Sequence, residues 1–392
     1  MFIYNIDNIN LMTHQASFIN SLIPWQSEKV YFDADNYYQE LLFEIENAKK
    51  TIEIECYIFE LDTLGNKFIN TLIQAAERKL SIRISIDGYG SLSWNLDIIE
   101  KLNSSGIEVK VFHPLPWRIS LYKGVKAATG WFEKLLYLTS RVNKRNHRKL
   151  FVIDNNSAWS GSLNISRSHL SQLSHGANWL DCGVNVSGTV VTYLVDNFNE
   201  VWQRKLTYHP DYFQLPFRSN NNPILRRQKN NELIKLITKC QSRIWIINAY
   251  LAPSKRILRA LKQARKRGVD VKLLISRRTD VIFFPLVSTT YYQQLLAVDI
   301  KIYEYNEQII HAKTMLLDNL LLVGSSNLNH RSFLHDLELD FIMTKQTSIN
   351  TTEAKFRQLV DKSEVVTVKR FESIVWSKKV LGQLLWKLRY WL

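Results

Sequence analysis

The sequence predicts an α/β fold made of two similar domains, each a mixed sheet flanked by helices. Three observations predict it. Apolar, β-rich runs alternate with helical patterns. The order of these elements occurs twice. One constellation of polar residues recurs at matching places in both halves.

In the first half a helical period marks residues 37–48, followed by a β-rich apolar run at 51–59, a helix near 67–79 and a strand at 82–86. The second half repeats the order, with a helix near 232–240, a strand at 244–249, a helix at 255–266 and a strand at 269–275. Residues 80–84 align with 269–273 at an offset of 189. Pro216, Pro223 and three consecutive asparagines at 220–222 give residues 216–231 the composition of a linker. The expected organisation is a first domain at 1–215, that linker, a second domain at 232–373 and a basic amphipathic segment at 374–392.

Composition narrows the partners. Of 392 residues 46% are hydrophobic, enough for one large core or two ordinary ones, and the net charge is +15. That charge favours anionic partners, either nucleic acid or acidic lipid, and the 11 tryptophans lean towards a lipid interface. Cys56, Cys182 and Cys240 have neither zinc spacing nor the look of a disulfide framework, so they are expected as small core residues in a reducing compartment. The first residues lack the pattern of a secretory signal, and no apolar run reaches the length of a membrane span.

The constellation is His-x-Lys-x4-Asp, then five or six residues, then Gly-Ser-x-Asn. It is carried by His147, Lys149, Asp154, Ser162 and Asn164, and again by His311, Lys313, Asp318, Ser325 and Asn327. Alternation along an extended chain points histidine and lysine to one face. Imidazole can attack phosphorus or pass a proton near neutral pH. Lysine supplies fixed positive charge, and the Gly-Ser turn with its asparagine supplies further donors. The catalytic candidates are therefore His147, Lys149, Asp154, His311, Lys313 and Asp318, with both aspartates open to a structural role. Ser162, Asn164, Ser325 and Asn327 are the phosphate-binding candidates.

At these residues the chain resembles the phospholipase D superfamily, whose signature is this doubled motif. The resemblance implies two phospholipase D-like domains related by pseudo-twofold symmetry, motifs that share one active site, a phosphohistidine intermediate, and neither metal nor cofactor. It makes His147 the nucleophile and His311 the general acid and base. It also implies a downstream carboxylate to orient each histidine, for which Asp181 and Glu338 are the candidates. Asp87-Gly88-Tyr89-Gly90, Tyr57-Ile58-Phe59 and Asn327-Leu328-Asn329-His330-Arg331-Ser332 are similar to bacterial cardiolipin synthases, with Asn329 where aspartate is common. Members of that group often carry N-terminal spans, so the chain is similar to the span-free type.

Two segments favour lipid independently. The first half carries 27 extra residues ahead of His147, and residues 113–146 hold seven basic side chains and one acid among aromatics such as Trp117, Tyr122, Trp131, Phe132 and Tyr137. The second segment, 374–392, contains Lys378, Lys379, Lys387 and Arg389 with three tryptophans and no acid. It suits either a helix lying on a membrane or a terminal helix docked on its domain. Residues 281–287 offer an apolar wall for acyl chains or an ordinary buried stretch. The expected activity is phosphatidyl transfer that makes cardiolipin or a related lipid from phosphatidylglycerol. Hydrolysis to phosphatidic acid, a nuclease and a non-catalytic membrane scaffold are the alternatives. The expected partners are anionic membrane and phospholipid rather than nucleic acid, with a peripheral location on the cytoplasmic face of the bacterial inner membrane.

Overall fold

The computed structural model describes residues 16–115, 117–118, 130–131, 137, 144–205, 212–281 and 283–387. The chain divides into two compact units. The first holds Gln26–Thr207 and Leu334–Leu339, and the second holds Met1–Trp25, Tyr208–Phe333 and Asp340–Leu392.

The first unit runs β1 (Ser27–Tyr31), α1 (Ala34–Asn47), β2 (Thr51–Cys56), α2 (Thr63–Glu77), β3 (Ser81–Asp87), α3 (Leu96–Ser104), β4 (Ile107–Phe112), β5 (Leu150–Ile153), β6 (Ser157–Gly161), β7 (Gly183–Ser187) and α4 (Val191–Gln203). Its sheet order is β1-β7-β6-β5-β2-β3-β4. β2, β3 and β4 are parallel, and β5, β6, β7 and β1 continue antiparallel.

The second unit runs β8 (Phe217–Ser219), α5 (Pro223–Lys239), β9 (Arg243–Asn248), α6 (Lys255–Lys266), β10 (Asp270–Ser276), α7 (Phe284–Leu296), β11 (Lys301–Tyr305), β12 (Thr314–Leu317), β13 (Leu320–Gly324), α8 (His330–Leu334), β14 (Leu339–Met343), α9 (Gln346–Asp361), β15 (Glu364–Val365), α10 (Val368–Glu372) and α11 (Trp376–Lys387). Its sheet order is β8-β14-β13-β12-β9-β10-β11-β15. Strand for strand this is the first sheet with one short strand added, so the mixed α/β fold in two similar units is as expected.

Local chemistry explains the elements. Asp33, Asp62, Asn95, Asn222 and Ser254 each cap a helix by accepting the N–H three residues on. The central strands β5, β9 and β12 are largely apolar on both faces, as strands covered by helices must be, whereas β2 turns Ile52 and Ile54 to one face and the buried Glu53 and Glu55 to the other. Helices α1 and α2 send Tyr38, Leu41, Leu42, Phe68 and Leu72 into the first core. Helices α6 and α7 send Ile257, Leu261, Val287 and Leu295 into the second.

The expected linker at 216–231 is corrected by the structure, which places β8 and the first half of α5 there. Asn222 is a cap and Pro223 occupies the first helical turn, where its missing N–H costs nothing. Turn-like composition here marks a helix start. The domain bounds differ too. Trp25 stacks near Phe217 and Phe341 and donates to the carbonyl of Ile342 at 3.1 Å, so the described N-terminal residues belong with the second unit.

Of the basic insertion, Tyr122, Lys123, Lys126, Phe132, Lys134 and Arg141 lie outside the described residues. Within it Arg118 donates to the carbonyls of Leu92 and Trp94, and Trp117 and Trp131 are exposed. In the 281–287 stretch Phe284 and Val287 are core, whereas Val281 and Phe283 are exposed. Among the described residues no helix is long and apolar enough to cross a membrane.

Candidate active site

His147 and Lys149 lie in the extended segment just ahead of β5, and His311 and Lys313 lie just ahead of β12. Each strand therefore begins just after the His-x-Lys pair and ends just before the motif aspartate. Alternation still holds, because Arg148 points away from its neighbours and meets Glu55 at 2.7 Å, both fully buried.

His147 is held from three sides. Its Nδ1 stands 3.1 Å from a carboxylate oxygen of Glu338, which has no exposed surface. The Tyr57 ring meets its imidazole edge-on at 4.8 Å between centroids. Its backbone N–H donates to the carbonyl of Leu337 at 3.0 Å, while Leu337 donates back to Arg145 at 2.8 Å. The orienting carboxylate thus comes from 191 residues downstream, on the short segment Leu334–Leu339 that belongs to the first unit. With Nδ1 facing a carboxylate, the tautomer is fixed and Nε2 is the nitrogen left to react. About 13% of the His147 side chain is exposed.

Lys149 Nζ donates to the carbonyl of His147 at 2.7 Å and sits 5.1 Å from the centre of the Tyr57 ring. Lys313 donates in the same way to the carbonyl of His311. Both lysines are almost fully buried, and His311 is buried as well.

Asn164 is anchored at three atoms. Its side-chain oxygen accepts from Ile58 N at 3.3 Å, its carbonyl accepts from the Tyr38 hydroxyl, and its N–H donates to His169 Nε2 at 3.2 Å. This leaves the side-chain amide N–H groups to donate. His169 in turn presents Nδ1 to Asp181 at 2.5 Å. Asn327 N–H finds the Ser332 hydroxyl at 3.1 Å. His169 and Ser332 therefore occupy equivalent places, five residues after each motif asparagine, a role that sequence reasoning missed. The equal spacing was the available signal.

The serines and aspartates of the motifs have local partners. Ser162 reaches Asp181 at 2.6 Å and accepts the N–H of Cys182 at 3.0 Å, so it braces a carboxylate. Ser325 is likewise buried. Asp154 accepts the backbone N–H groups of Lys49, Lys50 and Thr51, and Asp318 accepts those of Gln241, Ser242 and Arg243. Each aspartate has a positive φ of 51° and ties the hairpin turn after the motif to the entry of the central strand. This geometry gives them a structural task.

Behind His147 lies a buried charge network. Asn146 donates its N–H to Asp87 at 2.9 Å and its side-chain amide to Glu55 at 3.2 Å, and Arg145 stands 3.5 Å from Asp87. Burial pushes the carboxyls of Glu55 and Asp87 above their usual range, against the pull of Arg148 and Arg145. In the second unit Ile310 donates its N–H to Ser276 at 2.9 Å in the place of Asn146 and Asp87. There Ile247 and Ala312 stand where Glu55 and Arg148 do.

Fold and site together define a class: a duplicated α/β protein with one His-x-Lys-x4-Asp motif spanning a central strand in each unit. Residues 41–202 and 233–360 match the family described as "Cardiolipin synthase, PLD-like domain", where PLD denotes phospholipase D, and the chain belongs to that family. It is 28% identical over 394 residues to the cardiolipin synthase of Clostridium perfringens (strain SM101 / Type A), covering 94% of this chain and 79% of that protein. It is 29% identical to the cardiolipin synthase of Alkalihalophilus pseudofirmus, covering 90% and 69%. In fold it is similar to phosphatidylserine synthase of Haemophilus influenzae Rd KW20, with a TM-score of 0.68 at 13% identity over 97% of this chain and all of that one.

Proposed function

We propose that the protein is a phosphatidyltransferase that makes cardiolipin, or a closely related lipid, from phosphatidylglycerol. The observation that carries this is the Glu338 carboxylate on Nδ1 of His147, within a motif that the chain carries twice. Nε2 of His147 attacks the phosphorus of one phosphatidylglycerol. The bond to the glycerol headgroup breaks, and His311 gives its proton to the departing oxygen. A second phosphatidylglycerol then offers a hydroxyl. His311 takes that proton, the new P–O bond forms, and the P–N bond to His147 breaks. Cardiolipin and glycerol leave with the site restored.

Lys149, Lys313, Asn164 and Asn327 hold the phosphate oxygens as charge develops on them. Glu338 stabilises the His147 imidazolium, and Asp181, braced by Ser162 and His169, is the corresponding carboxylate of the repeat.

The chain acts on lipid at an anionic membrane surface, with the membrane face of the cytoplasm as its location. Helix α11 supports this. It packs on α7 through Gly382 and through the Trp386 indole, which donates to the Tyr291 hydroxyl at 2.9 Å. Its other side keeps Trp376, Leu381 and Leu384 exposed. The helix is docked and still offers an apolar face.

The test is to incubate the protein with phosphatidylglycerol vesicles, without added metal, and identify products by mass. Cardiolipin with glycerol, absent with His147→Ala and with His311→Ala, is expected. Phosphatidic acid alone would make the protein a hydrolase.

A further inference from the structure

Helix α6 carries a feature that the two-histidine chemistry does not use. Its inner face is Ile257, Leu258, Ala260, Leu261 and Ala264. Lys255, Arg259, Lys262 and Lys266 follow at steps of four, three and four residues. At about 100° per residue they fall within roughly 60° of arc and form one stripe. Like charges so stacked repel one another and weaken the helix unless an anion lies against them.

The stripe forms one wall of an open groove of about 660 Å³, and Tyr291 on α7 and Trp386 on α11 line the other. That volume lies within the ordinary range for a bound small molecule, roughly 300–1,000 Å³. Among the described residues no acidic side chain lines the groove. None of the four cations has an ion-pair partner among the described residues. Several other cations of this unit are matched, as Arg243 is with Glu353, Arg265 with Asp299, Lys272 with Asp270 and Arg370 with Glu304.

We propose that this groove is a headgroup site for an anionic phospholipid, separate from the phosphate under attack. One neighbour selects lipid over a free phosphate. Helix α11, which lines the groove through Gln383 and Trp386, bears the exposed apolar residues Trp376, Leu381 and Leu384. Charge for the headgroup and apolar surface for the chains thus stand side by side. His330, three residues past Asn327, lines the same groove, so a lipid held there sits on the unit that carries the second motif. The site rests on the membrane reading above, but its test is binding rather than turnover.

The experiment measures sedimentation of the full chain with vesicles of phosphatidylcholine containing one quarter phosphatidylglycerol, and with phosphatidylcholine alone. Arg259→Glu with Lys266→Glu alters the groove. Lys67→Glu with Lys101→Glu, exposed on the first unit, makes the same change in net charge elsewhere. A cation at an anionic surface contributes about five-fold in affinity. The groove pair is therefore expected to weaken binding to the anionic vesicles by roughly ten-fold or more, and the control pair by less than three-fold. Equal losses from both pairs would assign binding to diffuse charge and overturn the site. So would unchanged vesicle binding accompanied by lost binding of a labelled oligonucleotide, which would make the groove a nucleic-acid surface. Because sedimentation is read without regard to product, a failure here is distinct from a failure of the transfer reaction.

Discussion

Glu338 illustrates what one side chain decides. It places a buried carboxylate against Nδ1 of His147, so it sets both the tautomer and the charge that the ring can carry. Glu338→Gln keeps the shape and removes the charge. Turnover of phosphatidylglycerol is expected to fall by about 10²–10⁴-fold with the fold intact, by analogy with neutralising the carboxylate of a catalytic triad. A loss under three-fold would show that the carboxylate has no catalytic part. The cysteines sit at the opposite extreme of reactivity. All three are buried, and burial pushes Cys56 up to about 12 and raises Cys182 and Cys240 as well. A thiol reagent at pH 8 is expected to label none of them in the native protein and three after unfolding in guanidinium. The motif residues could be read from sequence because phosphoryl chemistry needs those residue types at that spacing. His169 could not, since its task is to brace Asn164 and its counterpart in the repeat is a serine.

At the scale of elements the two halves solve one packing problem in two ways. Where the first unit buries Glu55, Asn146 and Arg148, the second uses Ile247, Ile310 and Ala312. Likewise the Tyr37 ring and the Leu163 side chain crowd Gly183 in the first, whereas Lys229 pairs with Asp340 at 2.9 Å beside Ser326 in the second. A buried ion pair is costly to halve and cheap to replace whole. Arg148→Ala is therefore expected to destabilise the first unit by about 3–5 kcal/mol, because Glu55 is left buried without its cationic partner. Glu55→Ile with Arg148→Ala, which copies the other half, should recover most of that loss in urea unfolding. If the pair of changes were as damaging as the single one, the ion pair would be doing more than filling space. The Gly-Tyr-Gly turn belongs to this scale as well. A Cβ on Gly90 would lie 2.2 Å from the Tyr57 carbonyl oxygen, and Tyr57 is the ring against His147. Gly90→Ala should therefore lower turnover through a displaced Tyr57, detectable as altered fluorescence or ring shifts with little change in unfolding midpoint. The alternation of strand and helix was legible in the sequence because period and caps are local. The helix at 223–239 was legible only in its later half, since an asparagine cap followed by proline reads equally well as a turn.

Across the whole molecule, the repeat predicted by a 189-residue offset is present to the residue, with β3 at Ser81–Asp87 and β10 at Asp270–Ser276. What the sequence did not disclose is that the units exchange pieces, because such exchange depends on contacts far apart in the chain. Residues 16–25 join the second unit and Leu334–Leu339 joins the first. That last exchange has a temporal side. The ribosome makes His147 well before Glu338, 191 positions later. A nascent first half can build its sheet while His147 still lacks its carboxylate. Pairing of His147 with its carboxylate is therefore postponed until nearly the whole second unit has emerged, and a truncated chain released early would carry a histidine that no carboxylate orients.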